Sequence, residues 1–295
     1  MMAVLTPAAR EAWNRFLANR DNCGHAEREL IGRNPEAHAE ACLASARRTV
    51  ARLRADLPDL APRLVVEIGC SVGFNCLALR EAWPEAVVIG IEPEAAALDV
   101  ARLMIDDERL RFVRGCGEAL PFCTGGADLV LCHTVIEHVQ DVGKVIAEMS
   151  RVLAPGGALH LEAPNYRWPK EPHLGVWCIP MLGKRAVAWC ARMQGKSSLI
   201  PFLDHLQFVT PDQLEKLFRF HNLEWRNRAA DKMQQLAAGQ TEALAYRRLA
   251  RWLGRISKVG MLDLAIRVAI ATGLYPSLLY TVRRPPHSSF GVRET

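Results

Sequence analysis

The chain has 295 residues, of which 50% are hydrophobic, and its formal net charge is +5. A chain of this size and composition can bury one sizeable core, so we expect one domain with insertions and not two independent domains. Residues 241–295 contain nine Lys or Arg and three Asp or Glu, a local surplus that leaves the rest near neutral. This basic segment suits an anionic surface, such as membrane headgroups, nucleic acid or a phosphorylated substrate, and equally a solvated basic face.

Nine cysteines are scattered along the chain, without a CxxC pair or the spacing of a zinc site. We therefore expect reduced, mostly buried thiols. The N-terminus lacks a basic start followed by an apolar run, and together with the cysteines this predicts a cytoplasmic protein. The longest apolar stretch, at about 259–282, is interrupted by Asp263, Arg267 and Pro276. It is a poor membrane-spanning helix, although it could lie on a membrane surface.

The first part of the chain, residues 7–57, is rich in Ala, Arg, Glu and Leu and predicts two or three helices. We assign residues 1–60 to an N-terminal helical cap. From residue 64 onward, short apolar runs alternate with helical patterns, which predicts a doubly wound α/β fold with a mostly parallel sheet. The first five predicted strands are 64–68, 86–91, 110–114, 128–132 and 157–162, with helices at about 74–83, 94–105 and 140–153.

The fifth strand follows a clear helix stop, because Pro155 and the Gly156–Gly157 pair come directly after the last apolar turn. Residues 164–210 contain five prolines and predict an irregular insertion over the carboxyl edge of the sheet.

The last part of the core is predicted to be a helix followed by two strands that a second insertion separates. The helix covers 211–221, with Thr210 as its N-cap and Pro211 in its first turn. The strands lie near 223–228 and 278–283, which completes a seven-stranded sheet. The predicted core therefore comprises residues 61–232 and 274–295, interrupted by a helical insertion at 233–273.

A glycine-containing turn joins the first strand to the first core helix in the run VVEIGCSVGF at 65–74. In open α/β sheets, ligands bind at the crevice beyond the carboxyl ends of the strands, where this turn lies. A dinucleotide fingerprint would require glycine where this chain has Ser71 and Phe74, and the Gly-Lys-Ser/Thr of a P-loop is missing. Glu92 follows the second strand, where a carboxylate can accept hydrogen bonds from both hydroxyls of a ribose. The turn and this acid together predict an adenosine-type ligand.

The motifs EIGCSVG, GIEPE, GEALPF, IEHV and RVLAPGG occur in this order over about residues 64–165. In this succession they resemble class I S-adenosylmethionine-dependent methyltransferases of the methyltransferase type 11 branch, and particularly those of quinone biosynthesis. The resemblance implies S-adenosylmethionine as the methyl donor and a Rossmann-like fold. It implies a donor site formed by Glu67, Gly69, Cys70, Ser71, Gly73, Glu92, Pro93, Cys116, Gly117, Glu118 and His133.

The chain departs from the family at two donor positions. Cys116 stands where the family often has the Asp that binds the adenine amino group, a contact that Glu118 could replace. Ser71 stands at the middle glycine of the loop, which the family tolerates. A third departure concerns metal ions, because some quinone O-methyltransferases bind one through two acids and a His in an ExxEH pattern. Here Thr134 replaces the first acid, so we expect no metal site.

Methyl transfer from a sulfonium is an in-line displacement, in which the protein aligns the reactants and sometimes removes a proton. The candidate catalytic residues at the carboxyl edge are His138, His173, Tyr166 and His205. Each also has a structural interpretation: His138 could begin a helix, Tyr166 and the nearby aromatic residues could pack the insertion, and His205 could sit in a turn.

The sequence therefore predicts a methyltransferase acting on a small molecule, glycan or lipid-linked acceptor, with oxygen as the expected methylated atom. We expect no nucleic-acid partner. Peripheral membrane contact through the basic C-terminal region and packing of helices 233–273 in a homodimer remain open. Two rival functions are an NAD-dependent oxidoreductase and a non-catalytic protein that binds S-adenosylmethionine as a scaffold.

Overall fold

A seven-stranded sheet forms the centre of the molecule. In the computed structural model, residues 6–18, 35–239 and 247–286 are described. The strand order is β3-β2-β1-β4-β5-β9-β8. The seven strands are β1 (Leu64–Ile68), β2 (Val87–Glu92), β3 (Leu110–Arg114), β4 (Ala127–His133), β5 (Leu153–Pro164), β8 (Glu224–Asn227) and β9 (Ser277–Arg283), and a separate small hairpin comprises β6 (Lys170–Glu171) and β7 (Val176–Trp177).

The first five strands run parallel, whereas β9 is antiparallel to both β5 and β8. Helices cover both faces of the sheet. They are α1 (Pro7–Ala18), α2 (Pro35–Asp56), α3 (Phe74–Ala82), α4 (Ala95–Met104), α5 (Val142–Val152), α6 (Lys184–Met193), α7 (Pro211–Phe220), α8 (Ala229–Ala237), α9 (Arg247–Lys258) and α10 (Leu262–Thr272). This is the predicted doubly wound fold, which is confirmed.

The predicted strands and helices agree with the observed ones apart from their ends. The largest difference is β5, which begins at Leu153 and not at residue 157. Leu153 pairs with Ala127 before a shift in register, so the ladder starts ahead of the two glycines. Thr210 occupies the N-cap position of α7 as predicted, although its side chain makes no capping hydrogen bond.

Two apolar layers enclose the sheet. On one face, α5 and α7 pack Val145, Met149 and Phe218 against the strands. On the other face, α2 and α3 contribute Leu53 and Leu79 to a second cluster. Asp141 fixes the start of α5, since its Oδ1 accepts a hydrogen bond from the backbone N–H of Lys144 at 3.0 Å. The layers hold the carboxyl ends of β1, β2 and β4 side by side.

The N-terminal helices pack on the core. Trp13 and Phe16 of α1 lie against Val72 and Phe74, which follow β1 in the chain. The rings of Trp13 and Phe74 meet edge to face, with their centroids 5.9 Å apart. The aromatic contact from α1 therefore lies at the first residue of α3. The boundaries that we predicted for a cap at 1–60 stay a prediction, and residues 1–5 and 19–34 lie outside the described residues.

The two predicted insertions have different surroundings. The first forms a small apolar core of its own, which contains Leu174, Val187 and Leu203. The second packs Leu253 of α9 and Ile266 of α10 into the main core. Residues 240–246 of the second insertion and residues 287–295 of the predicted core lie outside the described residues. Among the described residues, each helix is too short or too polar to cross a lipid bilayer.

The eight described cysteines are free thiols, as predicted, and Cys23 lies outside the described residues. Only four of these eight are buried, so the expectation that most would be buried is not met.

A buried charge network lies between β5, α2 and α8. Glu162 accepts a hydrogen bond from the guanidinium of Arg52 at 2.9 Å and another from the ammonium of Lys232. His133 Nδ1 is 3.6 Å from the same carboxylate. The cations and the imidazole lower the pKa of Glu162 against the opposing effect of burial. The network joins α2 to α8 through β5.

His160 lies beside this network and is fully buried. Neither of its ring nitrogens has a hydrogen-bond partner among the described residues. Burial lowers the pKa of this imidazole to about 3, with the neighbouring cations acting in the same direction. The folded protein therefore holds His160 as a neutral ring at neutral pH.

This burial predicts a pH dependence of stability. Unfolding exposes the imidazole, whose pKa then returns to 6.5, so acid favours the unfolded chain between pH 6.5 and about 3. Lowering the pH from 7 to 5 should cost roughly 2 kcal/mol of unfolding free energy from this group. Urea titrations of His160→Leu should show a loss smaller by that amount. The control is His205→Gln, which changes an exposed imidazole. If the unfolding free energy of His160→Leu fell between pH 7 and pH 5 by as much as that of the wild type, His160 would not be the cause of the pH dependence.

Candidate functional site

The turn after β1 is fixed to the end of β2 by its own backbone. The N–H groups of Gly69 and Cys70 both donate to the carbonyl of Ile91, at 2.7 and 3.0 Å. Gly69, Ser71 and Gly73 have φ values of 67°, 48° and 85°, in the left-handed region. Alternate residues in this conformation fold the backbone into a tight loop beyond the sheet, where several N–H groups gather.

Glu92 joins this loop to the end of β2. Its Oε2 accepts a hydrogen bond from the N–H of Ser71 at 2.9 Å, and its Oε1 accepts one from the N–H of Glu94 at 3.0 Å. These two bonds fix the carboxylate beside the loop. Gly69 and Glu92, predicted from the sequence to share a site, therefore lie on the same side of the sheet.

Glu67 holds the loop from beneath. Its carboxylate is buried and accepts hydrogen bonds from Asn75 Nδ2 at 2.8 Å and from Cys76 Sγ at 2.9 Å. Burial raises the pKa of Glu67 to about 7 despite these hydrogen bonds. The carboxylate ties the end of β1 to the first turn of α3, so it positions the loop as well as lining the site. Asn75 and Cys76 were not predicted as site residues.

The loop is closely packed against neighbouring side chains at its glycines. A Cβ atom at Gly69 would lie 2.4 Å from Cγ2 of Val135, and one at Gly73 would lie 2.7 Å from Cζ of Phe112. Val135 follows β4 and precedes Glu137 and His138. The segment after β4 therefore touches the loop after β1. These positive φ values, the close packing and Glu92 fit the backbone-lined nucleoside site that the sequence predicted.

The remaining predicted donor residues lie after β2 and β3 and at the end of β4. Cys116 is exposed and Gly117 is buried. Glu118 Oε1 accepts a hydrogen bond from the N–H of Gln140 at 2.8 Å, at the start of α5. A contact of Glu118 with adenine would therefore use its other oxygen. Pro93 is exposed after β2, and its carbonyl accepts a hydrogen bond from Arg114.

His133 ends β4 and borders the buried charge network. Burial lowers its pKa.

A second group of side chains gathers beside the segment after β4. Ligand atoms of Glu137, His138 and His173 all lie within 4.8 Å of one another. Glu137 Oε1 is 3.9 Å from the Nε2 atoms of both His138 and His173. Glu137 is fully buried, and burial raises its pKa to about 7. The structure thus brings together two predicted catalytic residues from separate parts of the chain around one acid.

His173 is held in place by the insertion itself. Its Nδ1 is 2.8 Å from Oε1 of Glu171, a buried acid in β6. The hydroxyl of Tyr166 lies 3.3 Å from the same nitrogen. Tyr166 is fully buried and stacks on Phe208, so its ring packs the insertion as the structural interpretation predicted. Tyr166 is therefore placed to position His173, not to meet an acceptor that enters from solvent.

The fourth predicted catalytic residue lies outside this group. His205 is exposed at the end of a 3₁₀ segment, Ser197–His205. Glu171 belongs to the group, although it was not predicted. The only sequence signal for it was an acid two residues before His173 in a loop already assigned to the acceptor side.

Part of the chain is similar to known methyltransferases. Residues 66–161 match the family described as methyltransferase domain. Trans-aconitate 2-methyltransferase of Azoarcus sp. (strain BH72) is 32% identical over 142 residues, which cover 46% of this chain and 53% of that protein. Norajmaline N-methyltransferase of Rauvolfia serpentina is 35% identical over 107 residues, which cover 35% of this chain and 37% of that protein. The chain thus spans about half or less of the length of these relatives.

Solved structures share the fold. Geranyl diphosphate C-methyltransferase from Streptomyces coelicolor A3(2), in complex with Mg²⁺, geranyl diphosphate and S-adenosyl-L-homocysteine, superposes with a TM-score of 0.51 and 16% identity. The superposition covers 96% of this chain and 100% of that one. At this identity the likeness establishes the fold alone.

The packing at Gly69 predicts that a side chain at this position destabilises the fold. Gly69→Ala would combine a left-handed backbone with a clash against Val135, whereas Gly156→Ala has a similar φ of 79° and nothing within 4 Å of its Cβ. We expect Gly156→Ala to lose about 1–2 kcal/mol of unfolding free energy, and Gly69→Ala to lose clearly more. Denaturant titrations would measure both. Equal losses would show that Val135 does not press on the loop.

Proposed function

We propose that the chain, whose residues 66–161 match the methyltransferase-domain family, is a class I S-adenosylmethionine-dependent methyltransferase that transfers a methyl group from this donor to an oxygen acceptor. The observation that carries the proposal is the carboxylate of Glu92, which joins the glycine loop at the carboxyl end of the sheet. When bound, S-adenosylmethionine supplies a methyl carbon that an acceptor oxygen attacks in line, while the carbon–sulfur bond breaks and its electron pair stays on sulfur.

The residues of the loop would divide the binding of this donor. Glu92 would accept hydrogen bonds from the ribose hydroxyls, as carboxylates do at the end of the second strand in related α/β sheets. The N–H groups and side chains around Gly69, Ser71 and Gly73 would surround the methionine part, and Glu67 would hold their positions through Asn75 and Cys76. The segment of Cys116 and Glu118 would lie beside adenine.

The acceptor would be held on the side of the insertion. His138 has a side chain 36% exposed and His173 one 16% exposed, so His138 is the more accessible to an acceptor that enters from solvent. An imidazole can take up the proton that an acceptor hydroxyl must lose. This favours oxygen as the methylated atom and His138 as the base, with His173 beside it. One relative is an N-methyltransferase, and one protein that shares the fold is a C-methyltransferase. The proposal of oxygen as the methylated atom therefore rests on the imidazoles.

The carboxylate of Glu92 is expected to determine donor affinity. Glu92→Ala should weaken binding of S-adenosylhomocysteine by roughly 1.5–3 kcal/mol, since a charged hydrogen-bond acceptor is lost. Glu94→Ala is the matched control because it removes the same charge from an exposed neighbour. Isothermal titration calorimetry would measure both. Unchanged affinity in Glu92→Ala would show that the donor site is misplaced.

The same variants test the activity. Wild-type protein incubated with cell extract and isotope-labelled donor should give a labelled product that Glu92→Ala forms poorly, and mass spectrometry would name the acceptor. Donor binding without any labelled product would favour the non-catalytic scaffold. A rise in melting temperature with NAD and none with S-adenosylhomocysteine would favour the oxidoreductase.

An acceptor embedded in or linked to lipid is supported by the surface beside the insertion. Arg248, Arg251, Arg255 and Lys258 are exposed on α9, near Trp252, which is 53% exposed. Burial and the positive charges of Lys196 and Arg248 lower the pKa of Lys170, so α9 lies close to the insertion. Basic side chains interleaved with exposed apolar ones are typical of helices that lie on anionic membranes. We therefore propose that α9 contacts the surface of an anionic membrane.

This contact predicts binding to anionic vesicles. The wild-type protein should sediment with vesicles that contain phosphatidylglycerol and should stay in solution at about 1 M salt, where the screening length is about 3 Å. Charge reversal at Arg251 and Arg255 should abolish sedimentation at low salt. The control reverses two exposed cations elsewhere, Arg111 and Lys216. Equal loss in both double variants would show general attraction by net charge and would contradict a docking face on α9.

A further inference from the structure

We propose that Glu137, His138 and His173 form a binding site for a divalent transition-metal ion beside the loop after β1. Two imidazoles and one carboxylate are a ligand set that suits zinc and related ions. The third ligand comes from the first insertion, outside the motif that contains Glu137 and His138. The expectation of no metal, drawn from Thr134 at the position of an acid, considered ligands in that motif alone.

The buried carboxylate of Glu137 is the first argument. Neither of its oxygens has a hydrogen-bond partner among the described residues, and its side chain is 0% exposed. Burial disfavours an ionised carboxylate that lacks a hydrogen bond. The fold places this carboxylate 3.9 Å from each of two imidazoles, where a bound cation would compensate its charge.

The distances are the second argument. Glu137 Oε1 is 3.9 Å from Nε2 of His138 and 3.9 Å from Nε2 of His173, which is beyond hydrogen-bonding range. Two ligand atoms that each lie about 2.1 Å from one ion are at most about 4.2 Å apart. Both separations fit within that limit. The three ligand atoms lie within 4.8 Å of one another, so small side-chain rotations would complete the set.

The orientation of His173 is the third argument. Its Nδ1 faces Oε1 of Glu171 at 2.8 Å, which leaves Nε2 directed at Glu137. A carboxylate that accepts the second ring N–H is the usual partner of a metal-binding histidine, because it fixes the ring and makes the other nitrogen a better ligand. Tyr166 packs beside this pair. The insertion therefore prepares His173 for an ion.

The other group with similar residues does not suit an ion. Ligand atoms of His133, His160 and Glu162 also lie within 4.8 Å of one another. However, the carboxylate of Glu162 is already paired with Arg52 and Lys232. Two fixed cations would repel a divalent ion at this point. The site of Glu137 is therefore the better candidate of the two.

The position of the site deepens the proposed function, on which this part of the inference rests. Val135, two residues before Glu137, contacts the loop after β1 at Gly69. An ion held here would lie beside the donor loop and the acceptor loop together. Three protein ligands leave positions open for an acceptor. With the ion bound, His138 would be a ligand and not the base, and the ion would instead lower the pKa of an acceptor hydroxyl that ligates it, so that this proton is lost to solvent. The acceptor class is then an oxygen compound that can ligate the ion.

The test measures metal content without any methyl transfer. Protein prepared without a histidine tag and stripped with a chelator is titrated with Zn²⁺ and with Co²⁺. Elemental analysis and calorimetry should give about one ion per chain, and Co²⁺ should show the visible absorption of nitrogen and oxygen coordination. Glu137→Gln, His138→Gln and His173→Gln should each bind at least about tenfold more weakly. His205→Gln, which changes an exposed imidazole outside the group, should bind like the wild type.

Two results would overturn the proposal. One is stripped wild-type protein that takes up clearly less than one ion per chain, and the other is His138→Gln that binds the ion as tightly as the wild type. His138 has the most exposed side chain of the three, so this variant remains informative if Glu137→Gln does not fold. S-adenosylhomocysteine binding on the same preparations judges the donor site separately, because that site contains none of the three ligands.

Discussion

The structure depends on the attachment of the loop after β1 to the end of β2. Two backbone N–H groups of the loop share the carbonyl of Ile91, and a third, that of Ser71, reaches the carboxylate of Glu92. These bonds cross from one strand to its neighbour, so the loop cannot move without disturbing the sheet. Glu67 adds a buried tie to α3. The backbone that is proposed to bind the donor is thus set before a ligand arrives, which would lower the entropy lost on binding.

Other parts of the chain also contact this loop. The segment after β4 contacts it through Val135, and Trp13 of α1 packs against Val72 and Phe74. Each neighbour is drawn from a different part of the sequence. The parallel order of the strands brings their carboxyl ends to one edge, so these contacts follow from topology.

The sequence predicted the parts of this arrangement that depend on local signals. Alternating apolar runs and helix stops located the strands, since burial on both faces leaves a strong pattern. The start of α7 was predicted correctly, because Thr210 and Pro211 are a local signal for a helix start. The start of β5 was missed because Leu153 joins the ladder through a pairing with Ala127 that no local pattern reveals. Identity of an element was therefore easier to predict than its ends.

The group around Glu137 shows a deeper limit. Its members come from the segment after β4 and from the insertion, and only the folded chain brings His173 to that acid. Residue type nominated His138, His173 and Tyr166 as candidates. It could not distinguish the imidazoles that face the acid from the tyrosine that supports one of them, because the difference lies in burial and in the partner of a single ring nitrogen.

The first insertion has its own apolar core, built around Leu174, Val187 and Leu203. A segment that packs on itself can accept substitutions without unsettling the sheet, since their energetic effects stay local. Natural variation could therefore reshape the insertion, which is proposed to hold the acceptor, while the loop after β1 stays intact. In this way, a protein of this architecture can change the acceptor that it recognises and keep the same methyl donor.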